Sequence, residues 1–523
     1  MVIKGIIKKG EYYDSVTLMM AVKRVNELNG VIDSAIVMGT KENKSILEAS
    51  GLMLDQFKGS IDNDLLIVVK VENQDKAEKV LEEVNSVLKS VRTRDESGSA
   101  PSPRSMDAAL KILPEANLVL ISVAGKFAGD VAMRALQRGM HVMLFSDNVP
   151  LDQEVELKRY AVERHLLVMG PDCGTAIING TPLAFANVVN RGDIGIVAAA
   201  GTGLQEVSCL ISNAGAGISQ AIGTGGRDVK KEVGGTMFIE ALHMLSEDEH
   251  TGVILLVSKP PHPEVLEKIG RLAQEIKKPV VAAFLGAKAE ELEKYGIHPA
   301  RSLEEAASFT VALSSGKELG GIRDSLERRK EEIKILAKTE SGKLHSGQKY
   351  IRGLFSGGTF CYEAQLLLKD MVEGIYSNTP TGESLKLEHS LRSQKHTIID
   401  LGEDEFTVGR PHPMIDFALR NKRFVEEAND PETAVLLLDV VLGYGSNPDP
   451  LKEIIPTITK ARHMAVESGR YLPIVCSVTG TNADPQNRSV VVKGLTDAGA
   501  FVMESNAAAS LLAGYIAAPA GPK

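Results

Sequence analysis

Two rhythms of apolar residues alternate from Met106 to the end of the chain. Short, wholly apolar runs such as ANLVLISVAG, HVMLFSDN, GVILLVSKPP, KPVVAAFLG, AVLLLDVVLGYG and LPIVCSVTG are separated by stretches whose apolar positions recur every three or four residues. The first rhythm predicts strands buried on both faces; the second predicts amphipathic helices. Strands and helices in strict alternation imply parallel sheets covered on both sides. Before Met106 the pattern differs. IKGIIKKG, DSAIVMGT and DLLIVVKVEN read as strands, and SVTLMMAVKRVNELN, NKSILEASG and AEKVLEEVNSVLKSV read as helices. This order predicts a small α+β sandwich of ferredoxin type. Such a unit serves either as a packing or oligomerisation module or as a ligand sensor.

A polar segment rich in Ser, Pro and charge, Val91 to Ser105, separates the two regimes and reads as a linker. The expected units are 1–92, the small α+β domain; 106–190, a truncated Rossmann unit; 191–315, a doubly wound domain; and 345–523, a second doubly wound domain. A charged helical bridge lies before the last of these. The fold class is therefore α/β, with tandem doubly wound parallel sheets and a small N-terminal α+β domain.

Composition narrows the chemistry. At 523 residues the chain is too long for one core. A net charge of −9 leaves no basic face for nucleic acid or an anionic membrane. Trp is absent and aromatics make up 4%, which removes the usual stacking platforms. The apolar runs are shorter than a membrane span, and MVIKGIIKKGEYYDS lacks the apolar core of a signal peptide. Four scattered cysteines, Cys173, Cys209, Cys361 and Cys476, form no CxxC pair. These features imply a cytoplasmic location, and no His/Cys/Asp cluster has metal-ligand spacing.

Candidate chemistry centres on two repeated corners. GDIGIVAAAGTGLQEVSCL, from Gly192, and YIRGLFSGGTFCYEAQLLL, from Tyr350, each run from a buried strand through a Gly-rich turn into a helix. Such a turn aims free backbone N–H groups and the positive helix end at one spot, which suits a phosphate or carboxylate. A lone corner of this kind is equally well a tight βα turn; two matched corners facing each other would make a strong anion site. The predicted phosphate ligands are Gly201, Thr202 and Gly203 with Ser356, Gly357, Gly358 and Thr359. Arg227 in GGRD and Lys259 before two prolines lie at strand ends and can hold a phosphate or carboxylate. In TVGRPHPMID, Arg410 offers a carboxylate fork and His412 a proton carrier near neutral pH, or else Arg410 is salt-bridged in a structural turn. Asp400 and Asp439 end apolar strands on the ligand side, where helix capping explains them equally well. Each cysteine reads as a core residue, with Cys361 the one candidate nucleophile worth a test.

These strings also carry a family resemblance. GDIGIVAAAGTGLQEV with VMGPDCG and GVILLVSKPP resembles the ligase module of the succinyl-CoA synthetase α subunit. GLFSGGTFCYEAQLLL with TIIDLGEDE and AVLLLDVVLGYG resembles that of the β subunit. Over nearly the whole chain, VMGTKENKSILEASG, LLVMGPDCGT, GGRDVKKEVGG, DLGEDEFTVGRPHPMID and VTGTNADPQ resemble the FdrA branch of this superfamily. The resemblance implies helix ends that clamp a phosphate, and a subunit of oxamate carbamoyltransferase in purine and allantoin catabolism. That enzyme interconverts oxalurate and phosphate with oxamate and carbamoyl phosphate, alongside separate protein subunits; a homo-oligomer is also expected. An acyl-CoA ligase and a non-catalytic scaffold or regulatory subunit are the alternatives. Three departures from the synthetases are legible: no phosphohistidine follows KPVVAAFLG, the unit that grips coenzyme A is missing, and no P-loop or ATP-grasp domain is present. His298 falls at the next strand and reads as structural. No cofactor is therefore assigned.

Overall fold

In the computed structural model, residues 1–518 are described apart from 12, 14, 97–102, 104, 408 and 409. The N-terminal unit is a three-stranded antiparallel sheet of Val2–Lys8, Val31–Met38 and Leu65–Val71, with the third strand in the centre. Alternation along the central strand explains why both its faces are buried. Leu65, Ile67, Val69 and Val71 face helices Ser15–Asn26 and Gln74–Glu96, while Leu66 and Val68 pack with Leu47, Leu52 and Phe57 on the other side. The expected linker is shorter than its composition suggests, because helix Gln74–Glu96 continues through its first residues. Most of the remainder, 97–102 and 104, lies outside the described residues.

Next comes a three-stranded parallel sheet of Leu118–Ile121, His141–Leu144 and Val168–Met169. The expected boundary at 190 moves toward the N-terminus. Thr175–Ile178 and Thr181–Ala184 form a hairpin whose first strand pairs antiparallel with Ile218–Gly223, so both belong to the following sheet.

Both large sheets have seven strands. In the middle one, the parallel strands Ile218–Gly223, Arg191–Ala198, Val253–Ser258, Val280–Phe284 and His298–Pro299 lie side by side in that order. In the C-terminal one, His396–Asp400, Tyr350–Phe355, Thr433–Val441, Ile474–Thr479 and Phe501–Met503 repeat the arrangement. In chain order each set reads 2-1-3-4-5, the flavodoxin-like winding, whose ligand crevice opens beside the first strand. Each Gly-Thr corner follows that first strand. Among the described residues no helix is long and apolar enough to cross a membrane.

The two large sheets share one apolar core through helices Gly201–Asn213, Leu303–Ser314, Gly358–Leu368 and Asn506–Ala517. Within it, two glutamates cross the seam reciprocally. Glu206, on the helix of the first corner, accepts hydrogen bonds from Thr479 Oγ1 and, at 2.9 Å, from the Asn506 backbone N–H. Glu363, on the helix of the second corner, accepts from the Leu303 N–H at 2.7 Å and from Asn506 Nδ2 at 2.7 Å. Asn506 and Leu303 each open the last helix of the opposite half, so each corner helix caps that helix's positive end. Both carboxylates are buried, which raises their pKa, that of Glu363 to about 7.

A carboxyl whose folded pKa lies above its unfolded value binds more protons folded than unfolded, so stability falls as pH rises between about 4.5 and 7. Glu363→Gln is expected to remove the share of that slope that belongs to Glu363, leaving the shares of the other raised carboxyls. Urea midpoints measured from pH 4.5 to 8 check this: the variant loses less stability than wild type across the window, by on the order of 3 kcal/mol at most.

Candidate functional site

The two corners meet. A methyl group placed on Gly203 would lie 3.0 Å from Thr359 Cγ2, and one placed on Gly357 would lie 2.9 Å from Thr202 Oγ1. Each threonine thus rests against the glycine turn of the other half, which only glycine allows. Thr202 and Thr359 are 9% and 7% exposed. Neither helix has a side-chain cap: its N-cap is Ala200 in one case and Gly357 in the other. Two uncapped helix ends therefore converge on one place.

The corners differ in what flanks them. Ala198, the last residue of the first strand, lies between Gly223 and Val257 and meets no charge. Its counterpart Phe355 pairs with Asp400 on one side, and Leu354 pairs with Leu438, one residue before Asp439, on the other. Asp439 is fully buried and fills the second turn. Its carboxylate accepts from the Ser356 N–H at 2.7 Å, the Ser356 hydroxyl at 2.7 Å and the Gly357 N–H at 3.0 Å, and it lies 3.4 Å from the buried Arg420 guanidinium. Ser356 and Gly357 are thus engaged by an internal anion, which corrects their assignment as phosphate ligands. In the second corner, Gly358 and Thr359 remain.

Asp400 points at this end: a methyl on Gly358 would lie 2.6 Å from its Oδ2. Burial, then repulsion from Glu403, raises its pKa to about 7, while the Gly402 N–H and Lys259 pull the other way. Lys259 reaches over from the middle half, its Nζ 5.0 Å from the centre of the Tyr362 ring. His412 is brought to the same place. Its Nε2, the Ser356 carbonyl and Asp400 Oδ1 all lie within 3.1 Å of where a methyl on Gly402 would sit. Burial lowers its pKa to about 4, and Nδ1 accepts from the Met414 N–H. It is therefore neutral with Nε2 protonated, a hydrogen-bond donor rather than the expected proton carrier near neutral pH.

Two predicted cations are committed elsewhere. Arg410 pairs with Asp33 of the N-terminal unit at 2.8 Å, so it straps that unit to the site loop instead of clamping a carboxylate. Lys23 adds a second strap, bonding Glu453 at 2.8 Å and the Ile415 carbonyl at 3.1 Å. Arg227 is held by Glu154 at 2.8 Å and by the Val149 carbonyl at 2.8 Å. Its neighbour Asp228 joins Glu154 around the buried Lys158. Arg227 still faces Asp172, whose carboxyl is raised to about 7 by desolvation and by Asp147 and Asp404.

All four cysteines are buried free thiols, and burial raises the pKa of Cys361 far above the ordinary range, which removes it as a nucleophile. His298 pairs with Val281 near the start of its neighbour strand, at the end of the sheet away from the corners. Sequence reasoning misses Glu206 and Glu363. The signal that finds them is a shared Gly-Thr-x-x-x-Glu: Gly201, Thr202 and Glu206 match Gly358, Thr359 and Glu363.

Paired doubly wound sheets with meeting helix ends give this chain a succinyl-CoA synthetase-like fold. A CoA-ligase model matches residues 354–516, a CoA binding domain model residues 189–286, and a model described as AllF, heavy metal-associated domain, residues 1–103. The chain is 42% identical over 514 residues to the uncharacterized protein YahF of Escherichia coli (strain K12), covering 98% of both. It belongs to the YahF family. It is 29% identical over 185 residues to succinate–CoA ligase [ADP-forming] subunit alpha 1 of Archaeoglobus fulgidus, spanning 35% of this chain and 62% of that subunit. The dinucleotide-forming acetyl-coenzyme A synthetase 1 of Ca. Korarchaeum cryptofilum aligns at 16% identity with a TM-score of 0.32, over 77% of this chain and 83% of that one. Residues 1–103 contain neither Cys nor His, so the match to the heavy metal-associated model carries a fold and not a thiolate or imidazole site.

Asp439→Asn is expected to leave Arg420 without its buried counter-ion and to cost about 3–5 kcal/mol of stability. Chemical denaturation at pH 7 measures this; a loss below about 1 kcal/mol contradicts the role given to Asp439.

Proposed function

We propose that this protein is an acyl-transferring subunit of the CoA-ligase superfamily that holds the phosphate of an acyl phosphate against the paired helix ends. The observation that carries this reading is the contact of Thr202 with Gly357 and of Thr359 with Gly203, which leaves two uncapped helix ends aimed at one spot. The first corner has no flanking carboxylate, so Gly201, Thr202 and Gly203 are its phosphate ligands, assisted by Gly358, Thr359 and Lys259. The second corner supplies Asp400 beside them.

In the forward direction an acceptor nucleophile attacks the acyl carbon, the bond to the bridging phosphate oxygen breaks, and phosphate departs with the electron pair. Backbone N–H groups and Lys259 neutralise the charge gathering on the departing phosphate. Asp400, ionised above about 7, accepts the proton that the acceptor loses. His412 donates from Nε2 and holds the acyl oxygen or Asp400 in place. The relatives that are CoA ligases make the thiol of coenzyme A the leading acceptor.

A second reading is the FdrA one: carbamoyl phosphate as acyl phosphate and oxamate as acceptor, with separate subunits completing the enzyme. The AllF model on residues 1–103 favours it, as does the loop after Val280–Phe284, where Leu285, Gly286 and Ala287 stand and no histidine does. Titration calorimetry with coenzyme A separates the two. Micromolar binding supports the first; no binding, with oxamate-dependent consumption of carbamoyl phosphate, supports the second.

Under both, Lys259→Met is expected to lower acyl phosphate turnover about 100-fold, read by phosphorus NMR. The wild-type rate is expected to rise as pH passes through about 7, and Asp400→Asn to flatten that rise. An unchanged rate in Lys259→Met removes the assignment.

A further inference from the structure

Of the three cations that the sequence offers as ligand holders, two are met by carboxylates: Arg227 by Glu154 and Arg410 by Asp33. Lys259 is not. Its backbone is fixed, since the Ser258 hydroxyl donates to the Lys259 carbonyl at 2.6 Å and the Leu285 N–H donates to the Ser258 carbonyl at 3.0 Å. Its side chain is exposed, and among the described residues its ammonium forms no ion pair with a carboxylate. What it meets is the face of Tyr362, 5.0 Å from the ring centre. Its charge reaches Asp400, so the ammonium stands beside the site.

Tyr362 comes from the other half. It lies on helix Gly358–Leu368, three residues after Thr359 and so on the same side of that helix. A methyl placed on Gly286 would lie 3.7 Å from Tyr362 Oη and 3.4 Å from Leu366 Cδ1. The phenol therefore crosses the seam to the loop after Val280–Phe284. That strand pairs with Val253–Ser258, the strand that ends at Lys259.

A lysine side chain with no anchor is spread over many rotamers, and ordering it costs entropy. A carboxylate anchor would order it but would also cancel its charge and repel an incoming phosphate. The negative face of an aromatic ring attracts an ammonium while carrying no net charge. We infer that Tyr362 is a positioning residue, whose ring holds the Lys259 ammonium at the corners and leaves its full charge for a phosphate. This rests on the role given to Lys259 above.

Two measurements on the full-length protein test it. Lysines are dimethylated with an isotopic label, which keeps their charge, and the Lys259 signal is the one that Lys259→Arg removes from the NMR spectrum. Expected is an upfield ring-current shift of that signal in wild type and in Tyr362→Phe, and its loss in Tyr362→Leu. Calorimetry with inorganic phosphate reads the consequence. Tyr362→Phe should bind within about 2-fold of wild type, and Tyr362→Leu about 5-fold more weakly. Tyr362→Leu added to Lys259→Met should weaken binding no further. Replacing Tyr362 by trifluorophenylalanine, which keeps the ring's shape and strips its negative face, should weaken binding as Tyr362→Leu does. Circular dichroism of each variant verifies folding. A Lys259 signal unmoved by Tyr362→Leu, or an equal loss of affinity with and without Lys259, would overturn the inference. Absence of phosphate binding in wild type would instead remove the phosphate reading of the corners, and the methyl signal would still decide whether Tyr362 holds Lys259.

Discussion

The structure depends on a reciprocal exchange of buried carboxylates. Glu206 and Glu363 stand at the same place on the two corner helices, and each takes a backbone N–H from the first turn of the other half's last helix. A buried carboxylate without donors is costly, and a buried helix end without an acceptor is costly too. Each half holds what the other lacks, so the penalty is relieved only when the two sheets dock in this one register. That register brings Thr202 onto Gly357 and Thr359 onto Gly203. The convergence of the corners follows from an interaction one and a half helical turns behind them.

Pseudo-symmetry ends at the strands that flank each corner. The first lies between Gly223 and Val257, and the second between Asp400 and Asp439. One turn has no flanking carboxylate; the other already holds an internal one. The result is an asymmetry: an uncapped helix end on one side, and on the other a carboxyl poised near neutrality beside Lys259. The N-terminal unit is tied to the loop carrying His412 through Asp33 to Arg410 and Lys23 to Glu453, so its placement bears on the site.

Much of the fold was legible because the signals are local. All-apolar runs became central parallel strands, and the Gly-Thr turns became corners, since periodicity and glycine placement act within a few residues. What was not legible is long-range. Arg410 left a ligand clamp and a salt bridge equally open, because its partner Asp33 is 377 positions away. Thr175–Ile178 looked like part of the preceding unit because sheet membership depends on a partner strand beyond Arg191. His412 promised proton transfer at neutral pH until burial made it a neutral donor. Asp439 left capping and ligation equally open, and only the folded turn shows that it holds the Ser356 and Gly357 N–H groups ahead of the helix. Glu206 and Glu363 were hidden by type, for a glutamate inside a helix ordinarily signals a solvated face.

The central claim is that both helix ends act on one anion. A crystal structure with a bound non-hydrolysable acyl phosphonate tests it most directly. The account predicts the phosphonate oxygens within hydrogen-bond distance of N–H groups from both Gly201–Gly203 and Gly358–Thr359. A phosphonate bound at one corner alone, or in another cavity, would contradict it.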